Sequence, residues 1–99
     1  MQVDPTRFRD LALLTRATAQ NDHSVMIDGL MAGRIMLRPA SFGVSRWFWT
    51  VTGPAMVQAG LASSGETETL DEARLAFREA FDRWLTWALV HDRKVHWLG

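Results

Sequence analysis

The chain has 99 residues, of which 47% are hydrophobic, and this length suits one domain with a single buried core. It contains no cysteine, which excludes disulfides, thiolate metal sites and a cysteine nucleophile and is typical of a reducing compartment. The 11 basic side chains balance the 11 acidic ones, so the excess positive charge of most nucleic-acid-binding proteins is missing. We therefore expect one cytoplasmic domain over residues 1–99 that does not bind nucleic acid.

Two further classes are disfavoured by the distribution of charge along the chain. The first ten residues contain four charged side chains, so they lack the apolar core of a signal peptide (Asp4, Arg7, Arg9 and Asp10). The longest apolar run, around Trp84 to Val90, is far shorter than the ~20 residues that cross a bilayer. We expect a soluble protein without a membrane partner.

The N-terminal segment has the features of a helix. Asp4 followed by Pro5 suits an N-cap and a first helical position, because proline lacks only an N–H that has no partner there. Apolar residues recur at a moderate helical spacing up to Ala19, and the run 21–24 is a cluster of turn-forming residues. These signals predict a helix over residues 5–19.

Four short strands are expected next. Asp28-Gly29 is the dipeptide that best tolerates the positive φ angles of a tight hairpin, and it separates predicted strands at 24–27 and 32–38. Alternation in the second strand turns Gly33, Ile35 and Leu37 towards the core. A strong strand is predicted at 45–52 and a weaker one at 58–63, followed by a polar loop at 64–67.

A long amphipathic helix is predicted over residues 70–91, with a tail at 92–99. Thr69 and Glu72 have the spacing of a capping box, in which each side chain accepts a hydrogen bond from a backbone N–H at the helix start. Surface ion pairs are expected between residues 78 and 82 and between residues 79 and 83. The apolar residues at three- and four-residue spacing are Leu70, Ala73, Phe77, Ala80, Phe81, Trp84 and Ala88.

The predicted fold is α+β: an antiparallel four-stranded meander packed on a long C-terminal helix, with an additional N-terminal helix, in the order α-β-β-β-β-α. Five large aromatic side chains are expected to form its core (Trp47, Trp49, Phe77, Phe81 and Trp84). No repeat or linker interrupts the pattern, so one domain is predicted.

Three sequence segments resemble a recurrent type of small alphaproteobacterial protein. They are Asp28-Gly29 with the "GRI" of residues 33–35, the aromatic strand "RWFWTVTG" of residues 46–53, and "TLDEA" at residues 69–73. This resemblance covers roughly residues 24 to 88 and implies the fold without implying a chemistry. A looser resemblance is to HicB-type antitoxins, in which a β-meander precedes a helix that opens in a "GxTxEEA"-like turn, here residues 65–73. The appended DNA-binding segment of that family is not evident here.

A metal or catalytic site is not expected from the candidate residues. His91, Asp92 and His96 are the one compact set of possible metal ligands, but their spacing does not place two imidazoles on one helical face. Ser64, with His23 or His91 as a base, is a conceivable nucleophile, yet the spacing favours an ordinary loop. We predict a non-enzymatic protein with no catalytic, cofactor-binding or metal-binding residues, and a small enzyme with an unrecognised site stays as an alternative.

A nucleic-acid-associated regulator is a second alternative. The predicted order of elements is similar in topology to a double-stranded-RNA-binding domain, an analogy that carries little functional weight. Such domains contact phosphates through lysines at the start of the last helix. Asp71 and Glu72 occupy that position here and would repel phosphate.

The aromatic strand is bulky on both sides, which points to a contact surface. Trp47 and Trp49 face one way and Phe48 the other, although a sheet packed on one helix has only one buried face. Two explanations are possible. Phe48 is covered within the chain, by the N-terminal helix or by the stems of neighbouring arginines, or the second face binds a partner. The predicted partner surface contains Arg34, Arg46, Phe48, Trp97 and Leu98, and its partner is another protein or a second copy in a homodimer.

Overall fold

A computed structural model describes residues 2–8, 11–39, 43–52, 60–90 and 95–96. Five strands form an antiparallel sheet in chain order, and one long helix packs on it, so the fold class is α+β. A separate two-stranded sheet joins the two ends of the chain. The elements are β1 (Gln2–Val3), a 3-10 turn (Pro5–Phe8), β2 (Leu14–Ala19), β3 (Asp22–Ile27), β4 (Leu30–Arg38), β5 (Arg46–Val51), β6 (Ser64–Thr67), α1 (Leu70–Val90) and β7 (Val95–His96).

The predicted N-terminal helix over 5–19 is wrong. Asp4 does act as a local cap, since its carboxylate accepts hydrogen bonds from the backbone N–H and the hydroxyl of Thr6 at 3.0 and 2.9 Å, but it opens a single 3-10 turn. Residues 14–19 form strand β2 instead, paired with β3 through a tight turn in which Asn21 has a φ of 61°. Pairing with the edge of β3 satisfies backbone groups along both strands, and this tertiary gain outweighs a moderate helical pattern.

The Asp28-Gly29 hairpin is confirmed. Both residues have positive φ, 49° and 75°, as a two-residue turn between twisted strands requires. The strands on either side extend further than predicted, because residues 22–23 also belong to β3 and residues 30–31 to β4. The side chain of Arg7 donates to the Asp28 carboxylate and to its carbonyl, and so ties the N-terminal turn to the hairpin.

The last strand of the sheet lies later than predicted. Residues 60–63 are not a strand, and residues 58–59 of the predicted strand fall outside the described ranges. Strand β6 forms instead at the expected polar loop, with Gly65 opposite Trp49 and Glu66 opposite Phe48. Backbone pairing with β5 therefore makes residues 64–67 a strand, although their composition has low strand propensity. The predicted C-terminal tail also contains a strand, β7, which pairs with β1.

The predicted long helix is present as α1, about 32 Å in length. The Thr69 hydroxyl oxygen accepts the N–H of Glu72 at 3.1 Å, which is the first half of the predicted capping box. The second half differs, because the Glu72 carboxylate accepts the Thr69 hydroxyl at 2.9 Å. Neither predicted i,i+4 ion pair forms on α1; within the part of the chain that the structure describes, the helix carries instead an Arg74–Asp71 pair at 3.6 Å. No helix among the described residues is both long and apolar enough to cross a membrane.

The core lies between α1 and the β4–β5–β6 part of the sheet. Four of the five predicted core aromatics are buried, while Trp47, near the start of β5, is half-buried, with its ring centroid 6.0 Å from that of His23. Phe8 of the 3-10 turn completes the core by packing edge-on against Phe81 at 6.1 Å. The buried residues of the helix are Ala73, Phe77, Ala80, Phe81, Trp84 and Ala88.

Candidate interaction surface

The sheet has a second face, turned away from α1, that no described element covers. We call it the outer face, and its side chains alternate with the core side chains along all five strands. Strand pairing aligns them in rows, so that Asp22, Met36, Phe48 and Glu66 are successive cross-strand neighbours. The outer-face residues are Leu14, Arg16, Asp22, Ser24, Met26, Met31, Arg34, Met36, Arg38, Arg46, Phe48, Thr50, Ser64 and Glu66.

Phe48 lies at the centre of this face beneath an arginine. The guanidinium carbon of Arg38 is 3.8 Å from the centroid of the Phe48 ring, a cation–π contact that also shields the ring from water. Phe48 is consequently half-buried although no helix covers it. The shielding that the sequence predicts is present, but Arg38 provides it.

Arg34 and Asp22 form a two-pronged ion pair between β4 and β3. The Arg34 Nε donates to one carboxylate oxygen of Asp22 at 2.8 Å, and Nη2 donates to the other. The hydrogen bond from Arg34 lowers the pKa of Asp22, and the same contact raises the pKa of Arg34. Both side chains are therefore charged at neutral pH and held in one arrangement.

Arg38 and Arg46 lie directly opposite each other on β4 and β5. Like charges in this position repel, but Glu66 of β6 accepts a contact from each, at 3.5 Å from Arg38 and 3.6 Å from Arg46. One carboxylate therefore bridges two arginines at this end of the sheet.

The outer face carries an excess of positive charge. Its arginines are Arg16, Arg34, Arg38 and Arg46, whereas its carboxylates are Asp22 and Glu66. Arg16 forms no ion pair within the described residues. The two carboxylates are already engaged by arginines of the same face, so the field above the sheet is positive.

The structure brings together three residues of the predicted partner surface: Arg34, Arg46 and Phe48 share the outer face. Trp97 and Leu98 lie outside the described residues. Sequence reasoning missed Arg16, because it placed residue 16 in a helix. It also missed Arg38, although the alternation of β4 already put Arg38 beside Arg34.

The candidate catalytic and metal-binding residues are not assembled. Ser64 pairs with Thr50 on the outer face, whereas His23 contacts Trp47 on the opposite face of the sheet. His91 and Asp92 lie outside the described ranges, and only the backbone of His96 is placed. Among the described residues, no three His, Asp or Glu side chains are close enough to hold a metal ion.

A groove that the sequence does not predict lies on the other side of the sheet. The helix α1 packs on β4, β5 and β6. The edge strand β2 extends beyond the helix, and all of its residues are exposed. The space between this edge and the helix has a volume of about 300 Å³. The floor of the groove is formed by Val25, Ile35 and Phe77, and one wall by Arg74 and Arg78 of α1.

No protein-family model, curated protein or solved structure matches this chain significantly. We therefore infer function from the charge, exposure and contacts of the described side chains.

Proposed function

We propose that this chain is a non-enzymatic protein–protein interaction module that binds an acidic protein surface through the outer face of its sheet. The observation that carries the proposal is the uncovered face itself, where arginines surround Phe48. Arginine, phenylalanine and methionine are the residue types that protein interfaces favour. Met36 adds adaptable apolar area directly opposite Phe48, and Met26 adds more further along the same face.

The arginines are ordered before a partner arrives. Arg34 is fixed by Asp22, while Arg38 and Arg46 share Glu66. Ordering a free arginine side chain on binding costs about 0.5–1.5 kcal/mol. Internal ion pairs already restrict these side chains in the unbound protein, so they lose less conformational entropy when a partner binds.

The charge of the face favours a different protein over a second copy. Face-to-face association of two copies would bring two arginine-rich surfaces together, with their carboxylates already paired. An acidic surface would instead complement the charge of Arg16 and the exposed guanidinium groups of the paired arginines. Homodimerisation through this face is the alternative that the charge disfavours.

The same contacts favour protein over nucleic acid. Bases stack on open aromatic rings of a sheet, whereas the ring of Phe48 is covered by Arg38. A protein partner needs no open ring, because it can contact the arginines and methionines around Phe48.

The proposal is tested by affinity capture from a nuclease-treated bacterial lysate on the immobilised full chain. The double variant Arg38→Gln/Arg46→Gln removes two charges of the outer face, and Arg83→Gln removes an exposed charge of α1 as its control. We expect an acidic protein to be captured by the wild type and by Arg83→Gln, and lost from the double variant. Equal capture by all three contradicts the proposal, as does retention of RNA or DNA without any protein from a parallel lysate without nuclease.

Sedimentation equilibrium across a hundredfold range of concentration distinguishes the two kinds of protein partner. The charge of the outer face predicts a monomer whose mass does not change with concentration. A dimer that dissociates in the double variant, but not in Arg83→Gln, would assign the face to self-association.

A further inference from the structure

The groove between α1 and β2 is a concave site that the outer-face proposal does not use. Its floor is apolar: Val25, Ile35 and Phe77 are at most 2% exposed, and Leu13 is half-buried beside them. Thr15 and Leu75 form its rims, and Leu75 is 58% exposed. Leu13 and Leu75 therefore extend the apolar floor to the rims of the groove, where a ligand can cover them.

The polar groups of the groove are cationic. Arg74 and Arg78 are four residues apart on α1, so their side chains lie on one side of the helix. Arg74 spans the groove and donates to the Thr15 hydroxyl at 3.5 Å, while Arg78 forms no ion pair with a described residue. No carboxylate of a described residue lines this groove. Asp71 pairs with Arg74, but this carboxylate is 93% exposed and does not line the groove.

We propose that this groove binds a medium-chain carboxylate, with the alkyl chain on the apolar floor and the carboxylate at Arg74 and Arg78. Arginine is suited to this role because its planar donors match the two oxygens of a carboxylate. An apolar floor with a few converging polar groups is the usual composition of a small-ligand site.

The groove is small and open on one side, with a volume of about 300 Å³. This size suits a short alkyl chain, and octanoate, with eight carbons and two oxygens, is the probe. A neighbouring groove shares Leu13 and Arg78, but Asp82 lines it. That carboxylate disfavours an anion there and places the ligand in the first groove.

The test is a titration of the full chain with octanoate, followed by methyl and arginine side-chain NMR shifts. We expect saturable shifts at Leu13, Val25 and Ile35, whereas the outer-face methyl groups of Met26 and Met36 stay unchanged. 1-Octanol and octylammonium carry the same chain without the negative charge. Both should bind more weakly than octanoate, and octylammonium should be the weakest of the three.

Matched variants separate charge from apolar contact. Arg74→Gln and Arg78→Gln should each weaken octanoate binding about twofold to fivefold, as expected for exposed ion pairs. Arg83→Gln, an exposed arginine of the same helix outside the groove, should leave binding unchanged. Thr15→Phe fills the groove from the β2 edge and should abolish binding with both arginines still present. Circular dichroism verifies that each variant folds.

Several results would overturn the assignment. Equal binding of octanoate, 1-octanol and octylammonium would show non-specific apolar contact. Equal loss in Arg78→Gln and Arg83→Gln would show a diffuse charge effect. Tighter binding of acetyl-Leu-Leu than of octanoate would make the groove a peptide site, and concentration-dependent shifts without ligand would make it a contact between copies. None of these results depends on the outer face binding a protein.

Discussion

Gly65 of β6 lies directly against the indole of Trp49 on β5. A Cβ atom built on Gly65 would be 2.8 Å from the indole Nε1 and 2.9 Å from two ring carbons, all closer than real contacts allow. Trp49 is 7% exposed and paired with Gly65 across the strands, so its ring has little room to move. The glycine therefore allows the indole to close the core beneath β6.

Gly65→Ala should destabilise the protein by about 1–3 kcal/mol, the usual cost of overpacking a core. Urea unfolding followed by tryptophan fluorescence measures this change. Ser64→Ala, at the neighbouring exposed position, is the control and should stay within about 0.5 kcal/mol of the wild type. An unchanged midpoint for Gly65→Ala would mean that the indole adapts to the added methyl group.

Trp84→Ala should cost about 3–5 kcal/mol, enough to unfold many domains of this size. Trp84 is fully buried, with its ring centroid 5.4 Å from that of Phe81 and 6.1 Å from that of Phe8. Its loss would detach the N-terminal turn from the helix as well as open a cavity. Thermal unfolding by circular dichroism tests this, and a melting temperature near that of the wild type would exclude Trp84 from the core.

Thr69→Ala should destabilise α1 by about 0.5–2 kcal/mol, because the Thr69 hydroxyl caps the N–H of Glu72 and also donates to its carboxylate. Thr69→Ser should retain most of the stability, since the serine hydroxyl accepts the same N–H and donates to the same carboxylate. Chemical unfolding of the two variants provides the comparison. Equal stability of the alanine variant and the wild type would show that the cap contributes nothing.

The Asp22–Arg34 pair predicts a specific pH dependence of stability. The folded state lowers the pKa of Asp22 through its hydrogen bond with Arg34, so folding favours the ionised carboxylate. This contribution is fully present above the unfolded-state pKa of about 3.9 and is lost as the pH falls through the lower folded-state value. Asp22→Asn should therefore be less stable than the wild type at pH 6, and the difference should shrink in acid. A difference that is constant from pH 6 to pH 2 would contradict this account.

Sequence patterns predicted the elements whose local and tertiary preferences agree. The α1 helix has a cap, a dipole-compatible start and a continuous apolar stripe, and the Asp28-Gly29 turn satisfies its φ requirement by residue type alone. The prediction for residues 14–19 was wrong because this sequence is compatible with either a weak helix or an edge strand. Pairing with β3 makes it a strand, and that pairing cannot be inferred from the local sequence.

The candidate surfaces were predictable to different degrees. Alternation on β4 and β5 was enough to place Arg34, Arg46 and Phe48 on one face. The pairing of Glu66 with Arg38 and Arg46 depends on β6, which forms where a loop was expected. The groove could not be predicted, because it results from the position of α1 across β4 to β6 and from the overhang of β2.

The most direct test of the central claim is methyl NMR of the chain labelled at its five methionines, titrated with the acidic protein captured by the wild type. Met36 lies directly opposite Phe48, and Met26 and Met31, which are cross-strand partners, lie on the same outer face. We expect the signals of these three methionines to shift and saturate. Binding that leaves Met36 and Met26 unchanged would contradict the assignment of the outer face as the binding surface.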